Sequence, residues 1–398
     1  MVSMPDAYWL ALPQVRGVGP RLSRQLLAHF DTAEKIFAAS EAELIGAGIP
    51  RPTARNIKQF TDFAPLEKEL CELPRIGAHL VRWSDPEYPA NLRQIADPPP
   101  YFLVRGTLTS ADLKFIAVVG ARAASDAGRR MAQRLGLELA GKGFTVVSGL
   151  ARGIDCAAHQ GALDGRGKTV AVMGCGIDIV YPAENRKIAQ AMLENGGGLM
   201  SELPLGTPPI PENFPARNRL ISGLCLGVVV VEAAEKSGSL ITARLALEQD
   251  RQVFAVPGSP LTGKTRGSNR LLKEGARLVE CVEDVIEELI PQLGGQAPLA
   301  TILSSSASEP LSSAAPHTAQ GAQPLRTTRN HEKGSAEAEP VDVKTILQCL
   351  KGADKLHVDS IISGSGLTAA TVLKLLLELE LRGIVTQHPG KLFSLCST

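Results

Sequence analysis

Residues 146–163 read VVSGLARGIDCAAHQGAL. A short apolar run breaks at Ser148 and Gly149, passes Gly153, and enters a segment whose small residues recur at the spacing at which helices pack closely. A strand that ends in Ser and Gly leaves backbone N–H groups unpaired and points them, with the positive end of the next helix, at one spot. Such a turn collects anions, phosphates above all.

The same grammar recurs along the chain. Residues 116–119 run into Gly120, Ala121 and Arg122, with Ser125 placed as the N-cap of a helix carrying Met131, Leu135 and Leu139. Residues 169–173 end in Gly174, Cys175 and Gly176. Residues 228–231 end in Glu232 ahead of Ser237, Gly238, Ser239 and a helix through Leu245 and Leu247, and residues 252–256 end in Pro257, Gly258 and Ser259. Runs of Val, Ile, Ala and Phe without polar alternation read as buried parallel strands. Strand, turn and helix in alternation predict an α/β domain, a Rossmann-like doubly wound and mostly parallel sheet, whose ligand crevice lies at the carboxyl ends of the strands.

The chain has 398 residues and 44% hydrophobic content, enough for two or three domains with a sizeable core. A formal net charge of +1 advertises no global basic field, so any polyanion site must be a local concentration of charge. Seven cysteines, at 71, 156, 175, 225, 281, 349 and 396, form no C-x-x-C pair, so neither metal nor cofactor is expected, and a reduced cytoplasmic setting fits their number and scatter. No run approaches the roughly 20 apolar residues that span a bilayer, and no membrane partner is expected.

Composition divides the chain into residues 1–75, 76–290, 291–340 and 341–398. The first segment reads as short helices, with Gly17, Val18 and Gly19 between two helical patterns as in a helix-hairpin-helix module, whose hairpin N–H groups can meet a nucleic-acid backbone. Its 9 basic and 9 acidic residues between positions 5 and 75 favour a scaffold or docking role instead. Residues 291–340, rich in Ser, Ala, Gln, Gly and Pro, read as a flexible linker. The last segment gives helical patterns at 343–350, 358–362 and 368–381, then a hairpin of 384–387 with 392–395 around Pro389 and Gly390, the order of a winged helix. Its third pattern sets Lys374 and Arg382 against Glu378 and Glu380, poor equipment for a groove lined with phosphates.

Residues 258–265, GSPLTGKT, match the P-loop pattern in full and follow a strand. Apolar helical spacing resumes only near Leu271, and no later strand ends in an Asp to hold magnesium, so ATP is not expected there. The glycines at 120 and at 174–176 do not complete G-x-G-x-x-G, which leaves a dinucleotide without support. Asp155 and His159, one helical turn apart, face each other as an acid–base pair or serve structure. With Glu232 they are the residues of the alternative reading, a Rossmann-like nucleotide hydrolase.

In the central segment 24 basic residues face 23 acidic ones, so location matters more than total. Arg122 follows the first of these strands, Arg152 lies in the second turn, Arg186 and Lys187 follow Asn185, and Arg217 and Arg219 flank Asn218. An Arg at a strand's carboxyl end can fork onto a phosphate or stack on a base, or it can pair with a nearby carboxylate. Aromatic content of 4% rules out a long stacking platform, though Phe144, Tyr181 and Phe214 lie near turns.

The series VVGAR, SGLARGIDCAAHQGAL, GCGIDIVYPAEN, NFPARNRLIS, EAAEKSGSLITARLALEQDRQVFAVPGS and GSNRLLKEGA resembles the bacterial DNA-processing protein A (DprA, also called Smf) family across residues 76–290. The resemblance implies a SAM-like amino-terminal domain, a winged-helix-like carboxyl-terminal domain and a non-enzymatic role. That role is to bind and protect single-stranded DNA during natural transformation and to help load the recombinase RecA onto strands covered by single-strand-binding protein, as a homodimer joined through the Rossmann-like domain. It places the DNA pocket at Arg122, Ser148, Gly149, Arg186, Lys187, Arg217 and Arg219, and the reading of the turns adds Gly120, Arg152, Asn185, Asn218, Ser237, Gly238 and Ser239 to the expected site. It also makes the P-loop match accidental, since PGS followed by G-x-N is the family pattern.

Overall fold

The computed structural model describes residues 4–108 and 114–290 and, within 341–398, all but 352–354, 369–370, 373–374, 377–378, 381–383, 389–391 and 396–398. The expected linker at 291–340, the Pro389-Gly390 turn, and Lys374, Glu378 and Arg382 lie outside the described residues.

The central domain is one sheet of β1 (Ala78–Arg82), β2 (Tyr101–Gly106), β3 (Phe115–Val119), β4 (Thr145–Ser148), β5 (Thr169–Val172), β6 (Gly198–Ser201), β7 (Gly227–Val230), β8 (Gln252–Ala255) and β9 (Arg277–Leu278). Its spatial order is β1-β2-β6-β5-β4-β3-β7-β8-β9. From β3 to β9 every pairing is parallel, and β1 and β2 add an antiparallel edge. The chain winds from β3 outward to β6, then crosses back to start β7 on the other side of β3. Strand order therefore reverses between β3 and β7, and their carboxyl ends frame the crevice of a doubly wound sheet.

The central strands are apolar throughout because both faces are covered. Ala117 and Val119 of β3 join one buried cluster with Leu220, Leu224, Ala243 and Ala246. Ile116 and Val118 turn the other way and pack with Ala132, Leu135, Leu139, Ala158 and Ala162. The first set of helical residues lies on Asn213–Leu224 and Ser239–Glu248, the second on Asp126–Gly141 and Ile154–Asp164. Ser125 is the N-cap expected of it, its hydroxyl accepting from the Gly128 N–H at 3.0 Å.

Six short helices between Met4 and Glu72 form the amino-terminal domain, and Gly17, at φ +93°, opens the hairpin ahead of Pro20–Phe30. Its apolar interior is continuous with that of the sheet: Trp9, Leu26 and Leu70 belong to one cluster with Leu103 and Leu199. Arg24 donates to the Ile95 carbonyl at 3.1 Å, and Glu69 accepts from the Leu205 N–H at 2.8 Å, so polar contacts accompany the apolar seam.

The carboxyl-terminal unit has helices Val341–Leu350 and Val358–Ser365 and a three-stranded sheet of β10 (Leu356–His357), β11 (Val385–His388) and β12 (Leu392–Leu395) in the order β10-β12-β11. β11 and β12 pair antiparallel, Val385 opposite Leu395, as the hairpin pattern predicts. Ile346, Leu350, Ile361, Val372, Leu376 and Phe393 fill its core.

Candidate nucleic-acid interface

A cavity of about 610 Å³ opens at the carboxyl ends of β3 and β7. Gly120, Arg122, Arg217, Asn218, Ser237, Gly238 and Ser239 line it, as the turn pattern predicts. Tyr181, Phe214 and Lys236 line it as well.

Phe214 is the centre of the site. The Arg122 guanidinium carbon lies 5.3 Å from its ring centroid, that of Arg217 lies 5.9 Å away, and the Tyr181 ring sits 5.7 Å off at a 42° tilt. Two cations thus lie over one aromatic ring, whose quadrupole attracts each of them. Arg122 and Tyr181 are exposed, whereas Arg217 is buried at 5% exposure.

Arg217 owes its burial to the ends of β4 and β5. Its Nη1 donates to the carbonyls of Gly149 and Val172, and its Nε has no partner among the described residues. A Cβ at position 149 would stand 2.6 Å from Arg217 Nη2, so the glycine lets the guanidinium in. Burial holds the Arg217 pKa down to about 10, with the nearby Asp155 carboxylate opposing that shift.

Two of the anion-collecting turns are already filled from within. Asp155 accepts from the N–H groups of Gly149 and Ala151 at 3.1 and 3.3 Å, and Glu232 accepts from the Ser125 N–H at 3.0 Å and from its hydroxyl. Burial pushes the Asp155 carboxyl up, while the Arg217 charge and the two N–H groups pull it down. The expectation that these turns hold a ligand phosphate through free N–H groups is corrected here, because the protein's own carboxylates occupy them. Asp155 and His159 do not pair. His159 Nδ1 lies 2.6 Å from the Thr169 hydroxyl, which donates to the Val146 carbonyl. Glu232, Asp155 and His159, the groups a hydrolase would employ, are thus committed to the scaffold.

The turn at 237–239 is closed by its own residues. The Ser237 and Ser239 hydroxyls are 2.8 Å apart, and Asn218 Nδ2 reaches the Gly238 carbonyl at 3.5 Å. The Ser239 N–H donates to the Ser237 hydroxyl at 3.4 Å while those of Leu240 and Ile241 donate to the Ser237 and Gly238 carbonyls, so the first N–H groups of the Ser239–Glu248 helix are engaged. Its positive end faces the cavity beside Lys236. Lys236 carries no signal in the turn pattern beyond its place directly before Ser237.

The remaining expected site residues fall elsewhere. Arg152 forms an exposed two-pronged ion pair with Glu184, 2.6 and 2.9 Å long, and lines a smaller cavity that shares Arg122, Tyr181 and Phe214 with the main one. Arg219 is buried, bound to Glu202 and 3.5 Å from Asp97, and does not line the crevice. Two carboxylates within reach outcompete a distant phosphate. Ser148 is buried, its hydroxyl donating to the Val118 carbonyl at 2.7 Å, and Asn185 is buried, donating to the Leu150 carbonyl at 2.8 Å. Both shape the turns from behind. Arg186 lines a second depression, and Lys187 is exposed outside both. Phe144 is a core residue.

The P-loop match is also a piece of scaffold. Its helix, Arg266–Lys273, starts directly after Thr265 and not near Leu271. Gly258 is clamped by Asn269, which accepts its N–H at 3.0 Å and donates to its carbonyl at 2.8 Å, and the Thr265 hydroxyl donates to the Ser259 carbonyl at 2.6 Å. Among the described residues no group of three His, Cys, Asp or Glu side chains is placed to hold a metal, and no helix is long and apolar enough to cross a membrane.

A doubly wound sheet with a cationic, aromatic crevice at its switch point, preceded by a helix-hairpin-helix domain and followed by a winged helix, defines a Rossmann-like class of ligand-binding proteins. Within it the chain belongs to the family described as DNA recombination-mediator protein A, whose profile matches residues 79–290. A SAM-like helix-hairpin-helix tandem matches residues 10–61 and the DprA winged helix domain residues 331–391. Protein Smf of Synechocystis is 33% identical over 98% of this chain and 98% of its own length. DNA processing protein DprA of Streptococcus pneumoniae is 40% identical over 64% of this chain and 88% of its own. The X-ray structure of DprA from Streptococcus pneumoniae superposes with a TM-score of 0.61 at 35% identity, covering 71% of this chain and 97% of that one.

Proposed function

We propose that this chain is a single-stranded DNA-binding recombination mediator that acts by binding and not by chemistry. One observation carries the reading: Arg122 lies over Phe214 beside exposed Tyr181, in a cavity whose inner turns are neutralised by Asp155 and Glu232. Such a site offers side-chain cations for phosphates and an aromatic face for an unstacked base, the combination that holds single strands with little sequence preference. At about 610 Å³ it has the size of a small-molecule pocket and takes unpaired nucleotides, not a duplex. Lys236, beside the start of the Ser239–Glu248 helix, supplies a second phosphate contact in the same cavity.

The finer role follows the family: protecting incoming DNA in natural transformation and helping RecA replace single-strand-binding protein, in the cytoplasm, as a homodimer. Labelled single- and double-stranded oligonucleotides titrated across a salt series test the core of it. The expected result is single-strand binding that weakens with salt, with a slope shallower by roughly 0.7 for each phosphate contact removed in Arg122→Ala or Lys236→Ala. Unchanged binding in both variants overturns the assignment to this crevice.

A further inference from the structure

The depression that takes Arg186 lies away from the switch point, on the sheet face that carries the Arg186–Glu194 helix. Its volume is about 500 Å³, and it runs along that helix between the Ile179-Val180 loop and the paired strands β2 and β6. Arg105 and Leu199 are directly opposite one another on β2 and β6, so their side chains share one face. Leu193 comes down beside them: a Cβ on Gly106 would stand 2.7 Å from its Cδ2. One end of the groove is therefore marked by Arg105 and the other by Arg186. Positions 186 and 193, seven residues apart on the helix, are separated by about 10 Å.

Neither arginine has a hydrogen-bonding or ion-pair partner among the described residues, and the walls between them carry Ile179, Val180 and Leu193 together with the Gln190 amide. Asp178, the carboxylate in the lining, is engaged by the Gly206 N–H at 3.0 and 3.1 Å. No aromatic ring lines the groove, in contrast to the crevice around Phe214, so it offers nothing for a base to stack on. Two unpaired cations marking the ends of one groove, with aliphatic side chains between them, match a peptide that carries carboxylates on both sides of aliphatic residues.

We propose that this groove docks an acidic, aliphatic peptide segment of a partner protein, separately from the crevice at the switch point. The probe is fluorescein-labelled DDLLDD, titrated by anisotropy into the full-length protein, with KKLLKK as control. The expected result is saturable binding of DDLLDD alone, weakened at least tenfold by Arg105→Ala and by Arg186→Ala. Gln190→Glu, which adds a carboxylate at an exposed lining position, weakens it likewise, and circular dichroism shows each variant folded. Oligonucleotide binding by Arg105→Ala stays at the wild-type level. No saturable binding of DDLLDD, equal binding of KKLLKK, or indifference to the arginine substitutions overturns the proposal. So does displacement of DDLLDD by oligo(dT) from protein carrying Arg122→Ala, which makes the groove a nucleic-acid surface.

Discussion

Glu232, just past the end of β7, and Ser125, the N-cap of the Asp126–Gly141 helix, are locked together: the carboxylate accepts both the backbone N–H and the hydroxyl of Ser125. The first βα turn of a doubly wound sheet is where such folds seat a phosphate on a helix N-terminus. Here a glutamate from the strand across the switch point sits in that place, closing it to a ligand and tying β3 to β7. Removing the charge with Glu232→Gln should cost about 1–2 kcal/mol of helix-terminus stabilisation. Glu232→Ala, which leaves buried donors unpaired, should cost about 2–4 kcal/mol. Urea denaturation of the three proteins checks the order.

Phe214 and Lys236 line the same crevice through different physics, and their substitutions should separate by salt dependence. Phe214→Ala removes a stacking face worth roughly 1–3 kcal/mol per base and should weaken single-strand binding without changing the slope of log K against log salt. Lys236→Ala should reduce that slope by roughly 0.7, since a phosphate contact releases counterions and a stacking contact does not. Equal slopes in the two variants would remove Lys236 from the phosphate path.

The doubly wound sheet was legible because its central strands are buried apolar runs, those of β3, β4 and β5 stopping at Gly or Ser and those of β7 and β8 at Glu232 and Pro257, and all five strands lie within a residue of where the runs place them. The crevice was legible for the same reason, since the switch point gathers the turns. What the pattern does not reveal is who fills the turns. Asp155 is four residues from the Ala151 N–H it accepts, but Glu232 is 107 residues from Ser125, and only the β3–β7 pairing brings them together. Arg219 likewise looks equivalent to Arg217 in the sequence. Two positions along a helix turn a side chain by about 200°, enough to send Arg217 toward the cavity and Arg219 toward Glu202 and Asp97.

Gly161 and Gly136 sit where the Ile154–Asp164 and Asp126–Gly141 helices touch. A Cβ at 161 would stand 1.9 Å from the Gln133 carbonyl oxygen, and one at 136 would stand 2.3 Å from that of Ala158. Backbone cannot yield as a side chain does, so the helices must separate. Gly161→Ala should destabilise the protein by roughly 2–3 kcal/mol despite alanine's better helix propensity. A thermal midpoint at or above that of the wild-type protein would refute this.

His159 makes the central domain acid-sensitive. Because the Thr169 hydroxyl donates its proton to the Val146 carbonyl, His159 Nδ1 must donate to Thr169, which leaves the buried Nε2 as a bare acceptor without a partner among the described residues. Protonation would place a charge in the core beside Arg217, and burial with that neighbouring charge lowers the imidazole pKa from 6.5 to about 3. The folded protein then binds fewer protons than the unfolded chain between those values, so stability rises with pH across the interval. The stabilisation is complete above pH 6.5 and is lost as pH falls toward 3. Asp155, whose pKa is raised, contributes with the opposite sign in acid and is common to both proteins in a comparison with His159→Gln. Between pH 7 and pH 4 the wild-type protein should therefore lose on the order of a few kcal/mol more than His159→Gln in parallel denaturant titrations. Equal losses would mean that the imidazole is solvated, or that it already carries a proton in the folded state.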